Sequence, residues 1–136
     1  MALEQYVDWS EIESLVLILS DLIRKSSRLF STITTLSRGG LIPARLLADH
    51  LGIQKILVDP TTISSDSLVV DDIFDSGHTF NKIQSLVDDP SRLFFVTLFV
   101  RRGKQYPKQL VYAKQTNDDG YVVFPWDKLE FQNSLK

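Results

Sequence analysis

Asp71, Asp72 and Asp75 stand within five residues of one another in LVVDDIFDSGHT, residues 68–79, after an apolar run and before Ser76, Gly77, His78 and Thr79. Neighbouring carboxylates can accept hydrogen bonds from paired sugar hydroxyls and can hold Mg²⁺, directly or through water. The DSGHT turn that follows suits an anion, because successive backbone N–H groups at a helix start form a concave donor site reinforced by the helix dipole. Gly77 permits positive φ and close approach of a phosphate, and Ser76 and Thr79 add hydroxyls. The G-x-x-x-x-G-K-[ST] pattern is missing, which argues against a nucleotide-hydrolysing P-loop. A lone acidic pair at a strand end also serves as a cap or a solvated turn. The short, fixed spacing to Asp75 and the S-G-x-T cradle favours a site for a metal-bound, phosphorylated sugar.

A second loop, Ser37-Arg38-Gly39-Gly40, offers a guanidinium suited to bidentate phosphate contact and glycines that let the backbone approach a diphosphate. Gly-Gly alone is common in turns. Two anion loops together point to a ligand phosphorylated in two places.

The elements that must position these loops can be read from periodicity. Ile12, Leu15, Val16, Leu19, Leu22 and Ile23 recur at helical spacing and predict a helix over 9–25, with Asp8 and a Ser10/Glu13 capping box as candidate starts. STITTLS (31–37) is a short β-branched strand. Pro43 suits the first turn of a helix that Gly52 stops. Strands are expected at 53–58 and 67–70, then a helix from 78 or 79 to before Pro90. RLFFVTLFV (92–100) has the continuous apolar character of a parallel strand covered on both faces, and shorter strands follow at 110–113 and 121–124. Alternating strands and helices predict an α/β fold: one domain over residues 1–136, with a mainly parallel, Rossmann-like sheet flanked by helices. Such sheets bind ligands beyond the carboxyl ends of their strands, which puts both loops on one edge.

Composition narrows the classes. The 136 residues carry 15 basic and 17 acidic side chains, for a net charge of −2, so a sequence-independent nucleic-acid binder is not expected. The absence of cysteine excludes disulfides, zinc thiolates and cysteine nucleophiles. The N-terminus lacks the layout of a signal peptide and the longest apolar run, Leu15 to Leu19, is too short to span a bilayer, so a cytoplasmic protein without a membrane partner is expected.

LVVDDIFDSGHT resembles the phosphoribosyl pyrophosphate (PRPP) signature of type I phosphoribosyltransferases, and SRGGLIPARLLADHLG (37–52) resembles their diphosphate loop and following helix. VDWSEIESLVLILSDLI and YVVFPWD are similar to bacterial and archaeal xanthine-guanine or hypoxanthine phosphoribosyltransferases. The resemblance runs from about residue 7 to residue 127. It implies transfer of phosphoribosyl from PRPP to a 6-oxopurine, giving a nucleoside monophosphate and pyrophosphate, with Mg²⁺ as cofactor. Asp71 and Asp72 would hold the ribose hydroxyls and the metal, and Asp127 matches a carboxylate associated with a second Mg²⁺. Asp75, Ser76, Gly77, His78 and Thr79 would wrap the 5-phosphate. Ser37, Arg38, Gly39 and Gly40 would bind pyrophosphate, often with a cis peptide between the first two. Asp75 would take the purine's proton, Tyr121 would stack on the base and Val122 would offer it backbone groups, with Phe124 and Trp126 as packing residues. The family also implies a homodimer or tetramer.

Three departures from the family pattern stand out. Only VDPTTISSDS (58–67) separates two strands between which the related enzymes carry a long mobile lid. Arg101 or Arg102 of FVRRGK falls where they have a purine-reading Lys, with Lys104 a weaker candidate and a solvated basic turn the alternative. His78 occupies a variable position of the phosphate loop. The short lid segment keeps open a second reading, a PRPP- or nucleotide-binding regulatory protein without turnover.

Overall fold

The computed structural model describes residues 3–36 and 38–135. Strand β1 (Gln5–Tyr6) leads into helix α1 (Trp9–Lys25), whose cap is Asp8. Asp8 is extended and its carboxylate accepts the Glu11 N–H at 2.8 Å, so the helix starts two residues earlier than a Ser10/Glu13 box would set it. Ser10 lies inside the helix, where its carbonyl accepts the Ser14 hydroxyl. Ile12, Leu15, Val16, Leu19 and Ile23 are buried as the spacing requires, whereas Leu22 faces outward.

The chain continues through β2 (Thr32–Thr35), α2 (Leu41–Leu51), β3 (Lys55–Val58), β4 (Ser67–Phe74), α3 (His78–Leu86), β5 (Phe95–Val100), β6 (Leu110–Gln115), β7 (Val122–Val123) and α4 (Lys128–Ser134). Gly52 ends α2 with φ +70°, a conformation that costs a residue with a side chain. Five strands form an all-parallel sheet in the order β3-β2-β4-β5-β6, and β1 pairs with β7 in a separate parallel ribbon. Helices α1 and α2 cover one face over Ile33, Leu68, Val70 and Val96. Helix α3 covers the other over Val69, Phe95 and Val100. The α/β architecture expected from the sequence is the one observed.

Two boundaries differ from expectation in ways that matter. First, β4 does not stop at Val70. Asp71, Ile73 and Phe74 pair with Thr97, Phe99 and Val100 of β5, so tertiary pairing overrides the poor strand preference of aspartate. Alternation also slips there. Leu68, Val70 and Ile73 pack on the α1/α2 side, and Val69 and Phe74 on the α3 side. The cause is local: the ladder steps from Asp71–Thr97 to Ile73–Phe99, while the Asp72 N–H donates to Asp71 Oδ1 and the Ile73 N–H to Asp72 Oδ1, both at 2.8 Å. Second, residues 59–66 form a packed strap on the α3 face. Ile63 is buried, its N–H donates to the Leu86 carbonyl and its own carbonyl accepts the Asp88 N–H, both at 2.9 Å.

Phe99 is fully buried beneath the slipped register and meets the Phe124 ring edge-on at 5.8 Å between centroids. Phe99→Ala is expected to cost about 3–5 kcal/mol, read as a lowered urea midpoint.

Candidate active site

The site forms because β4 outruns β2. Strand β2 ends at Thr35 opposite Val70, so Asp71 and Asp72 stand beyond their neighbour with the loop 38–40 laid across the gap. That loop has no room for side chains at its glycines. A Cβ on Gly39 would lie 2.6 Å from Asp72 Oδ2, and one on Gly40 would overlap Thr35 Oγ1 and approach the Val70 carbonyl to 2.5 Å. The glycines thus let the Arg38 loop pack directly on the acidic pair. Ser37, and with it the peptide joining it to Arg38, lies outside the described residues.

A cavity of about 770 Å³ opens over this edge, lined by Arg38, Gly39, Asp71, Asp72, Thr79, Tyr121 and Asp127. Leu36, Leu41, Ile42 and Trp126 complete its wall together with Leu129, Glu130 and Asn133 of α4. Residues from three separate stretches singled out in the sequence therefore share one crevice. A smaller cleft of about 210 Å³ adjoins it, bounded by Asp71, Asp72 and the turn Asp75–Thr79. Gly77 opens α3 with φ +89° and supplies no side-chain cap, so the first-turn amides of that helix border this cleft without a capping residue. The Ser76 hydroxyl accepts the His78 N–H at 3.3 Å, and Thr79 hydrogen-bonds the Asp71 carboxylate.

Several expected residues stand elsewhere. Arg101 does not line the cavity. Its guanidinium is buried, donating to the Asp118 carbonyl at 3.0 Å, to the Gly120 carbonyl at 2.9 Å and to the Asp75 carboxylate at 3.3 and 3.4 Å. Arg102 donates to the Thr116 carbonyl, and Lys104 is exposed in the following turn. Asp75 faces the phosphate cleft and Arg101, not the larger cavity. Val122 is buried in β7. The carbonyls of Tyr121 and Val123 accept from Gln5 and Val7, which leaves Val122's own carbonyl on the opposite edge of the strand. Trp126 stacks on Phe124 with centroids 4.9 Å apart and also reaches the cavity wall, its indole N–H buried without a partner.

Two features went unforeseen. Helix α4 borders the cavity and brings Glu130 to 3.4 Å from Arg38. Phe131, also on α4, stacks on Tyr121 at 5.3 Å and 25°, covering one face of that ring. The sequence signal for α4 was weak, since seven mostly polar residues give too little periodicity to read.

The electrostatics are those of crowded acids. Burial pushes the Asp71 carboxyl up, against opposing hydrogen bonds from Asp72 and Thr79. Asp72 is pushed up to about 8, first by burial and then by the charge of Asp71. Asp127 is pushed up to about 6 by burial and by the charges of Asp72 and Glu130, with Arg38 opposing. Burial and the same acids raise the Tyr121 phenol. Hard oxygen donors whose ionised forms are this unfavourable suit a divalent cation of the Mg²⁺ kind. Among the described residues no three acidic, His or Cys side chains converge on one point, so such an ion would take its remaining ligands from substrate and water.

An open parallel α/β sheet binds its ligands in the crevice at the carboxyl ends of its strands, where this cavity lies. No family model matches the chain. It is 27% identical over 143 residues to the xanthine-guanine phosphoribosyltransferase of Gluconobacter oxydans, an alignment covering 89% of this chain and 83% of that protein. Its fold matches the xanthine-guanine-hypoxanthine phosphoribosyltransferase of Helicobacter pylori with a TM-score of 0.77 at 16% identity, over 98% and 99% of the two chains. It also matches a hypothetical protein from Neisseria gonorrhoeae solved with bound ppGpp, with a TM-score of 0.71 at 19% identity, over 98% and 94%. In sequence and in fold alike, the chain is similar to the type I phosphoribosyltransferases that its motifs resemble.

The raised acids give a pH signature. Folded Asp72 keeps its proton up to about pH 8 whereas the unfolded chain releases it near 3.8, so stability is greatest at the acid end and falls as pH rises through that window. In chelator, the ligand-free Asp72→Asn variant is expected to melt higher than wild type at pH 8.5, by about 1–3 kcal/mol or several degrees, and to show a flatter decline from pH 5. Scanning fluorimetry across pH measures both.

Proposed function

We propose that the chain is a Mg²⁺-dependent purine phosphoribosyltransferase, transferring 5-phosphoribosyl from PRPP to xanthine, guanine or hypoxanthine. The observation that carries this reading is the single crevice in which Arg38 and Gly39, the Asp71–Asp72 pair, Thr79, Tyr121 and Asp127 meet. The curated xanthine-guanine relative supports the choice of acceptor.

Each group then has a task. The Asp75–Thr79 turn and the start of α3 hold the 5-phosphate. Asp71 and Asp72 accept the ribose hydroxyls. Arg38 and the Gly39–Gly40 backbone bind the pyrophosphate and neutralise it as it leaves. Tyr121 presents its free face to the purine, and Val122 its outward backbone edge. Asp71 and Asp72 would hold one Mg²⁺ and Asp127 would stand by a second, and the metal would supply further charge neutralisation at the leaving group. In the reaction the bond from the anomeric carbon to pyrophosphate breaks, a bond to a purine ring nitrogen forms, and Asp75 takes the proton from the purine.

The test is a panel of xanthine, guanine and hypoxanthine with PRPP and Mg²⁺, followed by chromatography of the nucleotide product. Wild type is expected to convert at least one base. Asp75→Asn is expected to lose about 10²–10⁴-fold in kcat and to keep PRPP binding by calorimetry. A second reading, a nucleotide- or PRPP-binding regulator without turnover, is favoured by the strap at 59–66, which is packed on α3 and leaves no long lid, and by the ppGpp bound to the similar Neisseria protein. Saturable PRPP binding with no product from any base would select it.

Self-association belongs to the same proposal. Leu17, Ile18 and Leu22 form an exposed apolar face on α1. Light scattering is expected to give a dimer or tetramer, with Leu17→Lys/Ile18→Lys shifting it toward monomer.

A further inference from the structure

Arg101 is the most heavily engaged charged side chain near the site, and the reaction outlined above leaves it without a task. It follows β5, and its own N–H donates to the Phe74 carbonyl at 2.8 Å while its carbonyl accepts the Tyr106 hydroxyl at 2.7 Å, so its backbone is fixed. From there the guanidinium reaches two loops at once. One end meets Asp75, on the turn that borders the phosphate cleft. The other end meets the carbonyls of Asp118 and Gly120, in the loop that delivers Tyr121. The arginine side chain is 10% exposed and that of Asp75 54% exposed, so the strut is anchored in the protein and only its acidic end reaches water.

The far loop is built to receive it. Asp118 Oδ1 accepts the Gly120 N–H at 2.7 Å, and the Thr116 hydroxyl donates to the Asp118 carbonyl at 3.0 Å. A side chain at Gly120 would overlap the Leu3 carbonyl, so this turn is pressed between β1 and the guanidinium. The Tyr121 carbonyl accepts the Gln5 N–H at 2.8 Å one residue later. The planar fork of arginine satisfies two carbonyls and a carboxylate in separate directions. A lysine ammonium is a single compact donor centre and cannot span them.

We propose that Arg101 is a positioning residue that couples the phosphate loop to the base loop, setting Tyr121 for stacking through a guanidinium anchored on Asp75. The proposal rests on the reading of the site as a purine phosphoribosyltransferase. The cation at the end of β5 therefore acts on the base through the loop that carries Tyr121, without touching the base.

The test pairs a ligand-free measurement with a kinetic one. In folded Arg101→Lys, amide hydrogen exchange over residues 118–123 and 75–79 is expected to quicken about tenfold, with α1 and α2 unchanged. Exchange at wild-type rates over 118–123 would overturn the proposal. In turnover the same variant is expected to raise the purine KM about tenfold while kcat stays within about threefold, the split that a purely structural role would not give. An unchanged purine KM in an active variant would also overturn it. If Arg101→Lys does not fold, Asp75→Ala releases only the exposed end of the strut. It is then expected to quicken exchange at 118–123 about threefold, and no change at that remote loop would overturn the coupling. A wild-type protein that turns over no purine would sink the transferase reading, and the exchange measurement would still decide the role of Arg101.

Discussion

Strand β4 extends four residues past the last pairing of its neighbour β2, from Val70 to Phe74, and the crevice follows from that mismatch. Had β2 kept pace, its backbone would occupy the place where the Arg38 loop now crosses. The gap is narrow, which is why the crossing residues are glycines. Gly39 faces the Asp72 carboxylate and Gly40 faces the β4 backbone, each where a Cβ would not fit. The same geometry crowds charge. Asp72 has Asp71 beside it along the strand, and its own charge raises the cost of ionising Asp127 across the cavity. An apo site of this kind is held at a cost to stability, which a bound cation or polyphosphate complex relieves.

Much of this was legible in the sequence because the informative segments obey local rules. The α1 helix, the Gly52 stop and the apolar β5 run follow from periodicity and backbone sterics, although Leu22 turns outward and β5 begins at Phe95, three residues into its apolar run. The end of β4 did not follow from local rules. Aspartate reads as a strand terminator, and only pairing with Thr97 and Phe99 keeps Asp71, Asp72 and Ile73 extended. The task of Arg101 was hidden for the same reason. Its partners lie 17, 19 and 26 residues away, and no spacing rule connects a cation after one strand to carbonyls before another. Helix α4 is too short and too polar to announce itself, although it walls the cavity.

The segment between β3 and β4 has become part of the fold. Ile63 docks between Leu86 and Asp88, the Ser65 N–H donates to the Asp88 carboxylate at 2.9 Å, and Arg28 donates to the Ser65 carbonyl at 3.0 Å and the Arg92 carbonyl at 2.7 Å. The Arg28 guanidinium also lies 5.1 Å from the Phe30 ring centre and 5.7 Å from that of Phe94. A strap pinned at Ile63 and Ser65 cannot swing over the crevice without unfolding part of the α3 layer. Water exclusion at the site, where it occurs, has to come from the opposite wall.

That wall is α4, and its attachment to the Arg38 loop is weak. Arg38 and Glu130 are 77% and 63% exposed and 3.4 Å apart, so their pair contributes about 0–1 kcal/mol. A phosphate presented to Arg38 makes charge-assisted bonds worth roughly 1.5–3 kcal/mol, so exchange of partners is downhill and leaves Glu130 to solvent. Helix α4 keeps a second hold during such an exchange, because Phe131 stacks on Tyr121 and meets Tyr6 edge-on at 6.3 Å. The Tyr121 ring is therefore braced from behind by α4 and from its backbone by β1 and Arg101. Among the described residues, the Arg38 guanidinium is tethered by a surface pair with Glu130. Rigidity is concentrated at the Tyr121 ring, and looseness at the Arg38 guanidinium.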